Sequence, residues 1–292
     1  MKKFSAILLL SLLSAMVSAQ VPIEHSSYMI SYISPEYFGP YAFPVPEQME
    51  GEICNSLHLE VSGDHVQGTK LGDMTSAATF KASVPLWTDR ATLSIWGEMH
   101  EWYTDTPQAR DYRRVSSEYP LKGEDAGSLY YSIDMLVLKE GEVRPSVALR
   151  AATQSATGDK YEVARHYDAP GYFFDISCGK SIPLSDASYI RISATAGFVC
   201  WQIDRGSQND ALLMGGKASF SCPKLTLSAE YGQYSGLEGK NVPAVGDSPK
   251  TFTLEAGMHF GRVSPFLKWQ KGVNDWPFSL VRAGVAVDID IL

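Results

Sequence analysis

After its first nineteen residues the sequence has no apolar run long enough to cross a bilayer as a helix. It also lacks a P-loop, a dinucleotide fingerprint and a CxxC pair. Lys and Arg are outnumbered by Asp and Glu, 25 to 33, for a formal charge of −8. That acidic balance argues against nucleic acid as a partner. The four cysteines, Cys54, Cys178, Cys200 and Cys222, form no zinc pattern with any of the six histidines. An even count in an exported chain first suggests disulfides. The strand pattern below separates the four, however, so free thiols are expected. Helical membrane proteins, nucleotide-dependent enzymes and zinc modules are thereby set aside, and no metal or cofactor is expected.

The start of the chain predicts export. MKKFSAILLLSLLSAMVSAQ carries two lysines, an apolar run and the small residues Val17-Ser18-Ala19. This is the order of a secretory signal, predicted to span 1–19 with cleavage after Ala19. Loss of Lys2 and Lys3 takes the formal charge from −8 to −10. The next stretch, 20–50, is rich in tyrosine and contains Pro22, Pro35, Pro40, Pro44 and Pro46. Proline this dense cannot serve a central strand. Two readings stay open for it: a periplasmic lead-in, or a lumen plug or docking segment for a periplasmic partner.

From residue 51 to 292 the sequence divides into about twelve alternating segments of strand length, beginning Gly51–Ser62 and ending Phe278–Leu292. Every second connector is tiny: WTDR, KEGE, PLSDA, the corner at Pro223 and RV. The others are longer, the longest running from Thr104 to Ala126. Short turns alternating with long loops are expected of a transmembrane antiparallel up-and-down β-barrel, with the short turns and both termini periplasmic. One face of most segments is apolar, as with Ile190, Ile192, Ala194, Ala196 and Phe198 against Arg191, Ser193, Thr195 and Gly197. Trp87, Tyr103, Tyr172, Phe198, Phe220, Tyr231, Phe252, Phe260, Trp269 and Phe278 are placed to form aromatic girdles at the two rims.

The last segment, LVRAGVAVDIDIL, alternates to the end of the chain. Left open, it would be an aggregation-prone edge; in a barrel it closes the wall. Arg282, Gly284, Val287 and Ile289 fit the order of the C-terminal assembly signal of bacterial outer-membrane barrels: a polar residue, glycine two later, hydrophobics three and five beyond. Leu292 stands where that signal usually has an aromatic. With the signal peptide and the Pro/Tyr-rich lead-in, the chain resembles outer-membrane proteins of the Bacteroidetes type. The resemblance implies a location in the Gram-negative outer membrane, lipid and the barrel-assembly machinery as partners, and no particular activity.

The inward face is the candidate site. Its predicted charged members are Lys81, Glu98, Arg144, Arg150, Arg191, Lys217, Glu230, Glu255, Lys268 and Arg282. Folding the hairpins about their short turns sets Lys81 near Glu98, Lys217 opposite Glu230 and Lys268 diagonal to Glu255. Such neighbours lie within reach of one another, so a wall of neutralised cross-strand pairs is expected. Balanced signs and about twelve strands imply a narrow polar lumen that passes a small polar solute at most, or a surface or scaffold role.

Two alternatives are kept. One is a barrel hydrolase acting on lipid, for which Ser56, His58, Glu60 and Ser62 fall on one face. Here His58, His100 and His259 are all expected to face the lumen, and no residue is assigned a catalytic role. The other alternative is a secreted soluble β-protein. His166 lies in a loop with Asp159, Glu162 and Asp168, with a surface metal site as the lesser reading, and Arg110, Arg113 and Arg114 lie in the longest loop, with anion binding as the lesser reading; both loops are expected to be solvated. If the final strand is an assembly signal, deleting residues 287–292 abolishes accumulation in the outer-membrane fraction, which cell fractionation would measure.

Overall fold

A computed structural model of the chain describes residues 34–87, 90–167, 169–203, 207–236 and 248–290. The expected signal peptide, Asp168 and the terminal Ile291-Leu292 lie outside the described residues. The strands are β1 (Leu57–Gly68), β2 (Met74–Trp87), β3 (Ala91–Thr104), β4 (Lys122–Asp125), β5 (Leu129–Leu138), β6 (Ser146–Gln154) and β7 (Gly171–Ser185). They continue as β8 (Ser188–Ile203), β9 (Ser207–Cys222), β10 (Leu225–Gly236), β11 (Lys250–Met258), β12 (Val263–Asn274) and β13 (Phe278–Ile289). A short helix, α1 (Pro107–Tyr112), lies in the longest loop and is capped by the Thr106 hydroxyl.

Each strand pairs antiparallel with its neighbours, and β13 returns to β1 from Leu57↔Ile289 to Gly68↔Phe278. That pairing closes a twelve-strand barrel, with β4 as a short addition to the far end of β3. Closure matters because an unpaired edge would leave backbone donors and acceptors unsatisfied. The turns β2–β3, β5–β6, β7–β8, β9–β10 and β11–β12 share one end of the barrel with the start of β1 and the end of β13. The remaining connections, among them the longest, between β3 and β5, lie at the other end.

The faces are the reverse of a soluble β-sandwich. Inward Arg191, Ser193, Thr195, Asp175 and Ser177 are buried, while outward Ile176, Ile192, Leu212, Leu254 and Leu267 are exposed, Ile192 by 54%. None of the four cysteines is in a disulfide; on the β7–β8 ladder Cys200 stands opposite Tyr172, six residues from Cys178.

Three expectations need correction. The first strand begins at Leu57 rather than Gly51, because residues 51–56 are still travelling along the interior wall, where the Gly51 amide donates to Ser177 Oγ and Thr92 Oγ1 donates to the Cys54 carbonyl. Ahead of β1, residues 34–56 run back through the barrel interior, so that Glu36 meets Lys70 and Tyr112 among the long loops. The alternation of β3 is broken by a bulge at Met99, since Ala78 pairs with His100 but Thr79 pairs with Glu98. An extra residue reverses the faces beyond it. His100 therefore turns outward onto Trp102, and Glu101 and Tyr103 turn inward. Finally, Tyr103 and Phe278 are interior residues, not rim aromatics. On the outside, Tyr172 and Phe198 group with Phe174, and Trp269 packs against Phe252.

Gly284, within the expected assembly signal, has a local reason to be glycine. A Cβ there would lie 2.6 Å from both the Phe266 ring and Ser62 Cβ. Gly284→Ala is expected to cost about 1–3 kcal/mol through this overpacking. Urea unfolding of the detergent-refolded variant, followed by tryptophan fluorescence, would measure it.

Candidate functional site in the barrel interior

Residues 34–55 thread the barrel from the long-loop end to the short-turn end. Phe38, Tyr37, Phe43 and Val45 are buried with Tyr103, Tyr130, Tyr167, Phe173, Trp201 and Tyr234 from the wall and loops. Tyr41 joins a second cluster with Val66, Ala77, Trp276, Phe278 and Leu280. Proline removes backbone donors, and several of the remaining polar groups find wall partners. Trp276 donates to the Pro40 carbonyl (3.1 Å), Tyr234 to Phe43 (3.2 Å), Arg150 to Glu47 (2.8 Å) and Arg191 to Glu50 (2.9 Å). At Gly51, with φ +73°, the segment passes so close to the wall that a Cβ on Gly179 would fall 2.0 Å from the Glu50 carbonyl oxygen. The aromatics of this segment are thus buried against the barrel rather than offered to an external partner.

Most of the predicted lumen charges do face inward, but the three lysines take their partners from the threaded segment. Lys217 stands opposite Glu230, and Lys268 directly opposite Glu255 rather than diagonal to it. Lys81 pairs with Trp96 and so lies diagonal to Glu98. Yet the Lys217 ammonium contacts Glu50 at 2.8 Å, Lys268 donates to Glu47, and Lys81 reaches Glu47 at 4.0 Å. Arg150 pairs with Asp175 on the adjacent strand (2.7 Å). Arg282 grips Asp64 through two hydrogen bonds of 2.7 and 2.8 Å, and Asp64 also accepts from Tyr41. Arg144 is the exception: it sits exposed in the β5–β6 turn, outside the lumen. Of the assembly-signal residues, Val287 pairs with Leu59 and Ile289 with Leu57 at the closing seam.

At the short-turn end Arg191 binds Glu52 (3.0 Å) and Glu140 (2.7 Å), beside a cleft of about 350 Å³ between Glu52, Asn55, Lys139 and Glu140. Burial alone would raise the Glu140 carboxyl. The Ser181 amide, Arg191, Lys180 and the Ser181 hydroxyl outweigh it and bring the pKa down to about 2.

The long loops are also drawn inward, against expectation. Arg113 is buried between Asp73 (2.6 Å) and Asp105 (2.8 Å), although Arg110 stays near the surface on Asp111. Arg165 is fully buried, donates to both oxygens of Glu101 (2.9 and 3.1 Å) and to Thr75, and lies over the Tyr103 ring. His166 is 1% exposed, its Nε2 3.5 Å from Glu101 Oε1. Burial works to lower the imidazole pKa, but the Glu101 carboxylate prevails and raises it. Glu101 was missed in the sequence because only the bulge at Met99 brings it inside.

The serine–histidine alternative does not assemble. Ser56 Oγ and His58 Nδ1 both bond to the same Asp288 oxygen, at 3.1 and 2.9 Å, and Ser62 bonds to Thr79. A nucleophile needs its proton directed at the imidazole, whereas here serine and histidine compete for one carboxylate. His259 bridges Thr226 (2.9 Å) and Ser264 (3.0 Å) across the β10–β12 turns.

The Glu140 cluster gives a pH prediction. Its folded pKa lies below the ordinary 4.5, so the contact stabilises the barrel above that pH and is lost as pH falls toward about 2. The difference in thermal midpoint between the unmodified chain and Glu140→Gln should therefore be largest above about pH 5 and shrink on acidification. Circular dichroism melts across that range would test this, and a constant difference would contradict it.

No protein-family model matches the chain, and no curated protein matches it in sequence. Solved structures do. An outer-membrane channel from Pseudomonas putida F1 superposes with a TM-score of 0.56 at 9% identity, covering 84% of this chain and 100% of that one. The NanC porin gives a TM-score of 0.50 at 11% identity, covering 78% and 98%. At such identities the likeness is one of fold: the chain has the closed antiparallel architecture of outer-membrane barrels.

Proposed function

We propose that this chain is an integral outer-membrane barrel whose lumen is closed by its own N-terminal segment, and that it passes at most a small polar solute. The exposed apolar belt, with polar residues buried inside, suits lipid as the surrounding solvent and disfavours a soluble secreted protein. Short turns face the periplasm and long loops the cell surface in such barrels, which sets Ser34 near the surface and Asn55 near the periplasm. Export through the 1–19 signal, delivery by the assembly machinery through the last strand, and membership of the Bacteroidetes-type proteins complete the reading.

The observation that carries it is the path of residues 34–55. Twelve strands alone leave room for a narrow lumen, and here that room holds buried Phe38, Tyr41, Phe43 and Gln48. Basic wall residues are neutralised by Glu47 and Glu50, so no rail of one sign remains to steer ions.

Planar-bilayer conductance of the refolded full chain is the test. The full chain should show a closed state with brief, small, weakly selective openings. Glu47→Gln with Glu50→Gln removes the carboxylates that hold the segment to Lys268 and Lys217 and should raise the open fraction several-fold. Heat-modifiable gel migration would verify that the variant has folded. A large steady current from the unmodified chain would overturn the proposal, as would a folded double variant that conducts no differently.

A further inference from the structure

Beneath the long-loop end, three segments distant in sequence bring metal-ligating side chains together. They are Glu101, turned inward by the β3 bulge; Asp125, at the end of β4; and His166, in the loop following the 3₁₀ turn Tyr161–Val163. One donor atom from each lies within 4.8 Å of the other two, and all three residues are buried. The distance between His166 Nε2 and Glu101 Oε1 is 3.5 Å. Two ligands bound tetrahedrally at about 2.1 Å from one zinc ion stand about 3.4 Å apart. That is long for a hydrogen bond but ordinary for the edge of a coordination shell.

The second observation is what these atoms lack. Both ring nitrogens of His166 and Asp125 Oδ2 are buried with no hydrogen-bond partner. Buried polar atoms are nearly always satisfied, and a single orphan can be a local strain. Orphans on two residues whose donor atoms converge on one point, with Glu101 as the third, share one remedy. Glu101 remains able to contribute: Arg165 uses one lone pair on each carboxylate oxygen and leaves the other. Arg165 also fixes the carboxylate's orientation, as outer partners of metal ligands commonly do.

We infer that Glu101, Asp125 and His166 bind one first-row divalent cation, zinc by preference, through one imidazole nitrogen and two carboxylate oxygens. The imidazole disfavours calcium and magnesium, which take oxygen ligands, and the absence of thiolate disfavours copper(I). Three protein ligands leave a fourth position for water. The ion ties the His166 loop to the barrel wall through β3 and β4, and this holds whether or not the barrel conducts.

The test uses the full chain refolded in detergent, stripped with EDTA and then given zinc chloride alone. Elemental analysis after desalting should find about one zinc per chain, and the thermal midpoint should rise with zinc. Asp125→Asn and His166→Gln should each weaken zinc binding by more than about tenfold and remove the thermal rise, with folding verified by heat-modifiable migration. His100→Gln, which alters the exposed His100–Glu124 pair instead, should bind zinc as the unmodified chain does. The site is refuted if the stripped chain takes up no zinc. It is equally refuted if the folded Asp125→Asn and His166→Gln proteins retain full uptake and the thermal rise, since the metal would then lie elsewhere.

Discussion

A charge inside a narrow barrel has little water to solvate it, and leaving it unpaired costs more than any single contact on the outside can offset. Lys217, Lys268, Arg191 and Arg282 all project into such a space. Lys217, Lys268 and Arg282 each have one acidic cross-strand neighbour, while Arg191 stands opposite serines, and the wall alone is not the arrangement the protein adopts. Glu47, Glu50 and Glu52 arrive on a separate stretch of chain and take up Lys268, Lys217 and Arg191. The interior wall and the threaded segment are therefore each incomplete alone. Removing the segment would strand basic groups on the wall as well as emptying the lumen, so closure of the barrel and neutralisation of its interior are one event.

Much of the architecture was legible because a barrel leaves two independent signals in its sequence. Period-two alternation marks strands, and the alternation of short and long connectors marks which end each turn occupies. Together they gave the strand number and the register that sets Lys217 opposite Glu230. Illegible features were those that break a period or have none. The bulge at Met99 has no composition signature, yet it exchanged His100 for Glu101 on the inner face. The Pro-rich segment has no period at all, so nothing in it chose between a periplasmic lead-in and a lumen plug. Partner choice failed for the same reason: register places Lys268 beside Glu255, but a third body bearing Glu47 decides the contact. Arg144 was misassigned because alternation was extended into a turn, where parity carries no meaning.

The loops follow the same rule. Their polar composition suggested solvated coils, yet Arg113, Arg165 and His166 are among the most buried side chains of the molecule. Each arginine is matched: Arg113 with Asp73 and Asp105, Arg165 with Glu101. Composition reports how many charges a loop has, not whether acids elsewhere await them. His166 differs, since the nearer of its carboxylate neighbours, Glu101, is already bound by Arg165 and lies at 3.5 Å. Both of its ring nitrogens are buried without a hydrogen-bond partner.

The two halves of the threaded segment are held by different forces, and this gives its release a direction. Near the long-loop end, Phe38, Phe43 and Tyr37 are buried in a continuous aromatic cluster. Withdrawing them would return large apolar surfaces to water, at roughly 1.5–3 kcal/mol for each ring. Toward the short-turn end the contacts are Glu47 with Lys268, Glu50 with Lys217 and Ser219, and Glu52 with Arg191. Those groups are polar on both sides, so water entering from the mouth can replace each partner as it leaves without exposing apolar area. Water reaches the Glu52 end first, because that carboxylate is already half-exposed beside an open cleft. Any opening of the lumen therefore begins at the short-turn end and proceeds upward, with the aromatic cluster as the last point of attachment.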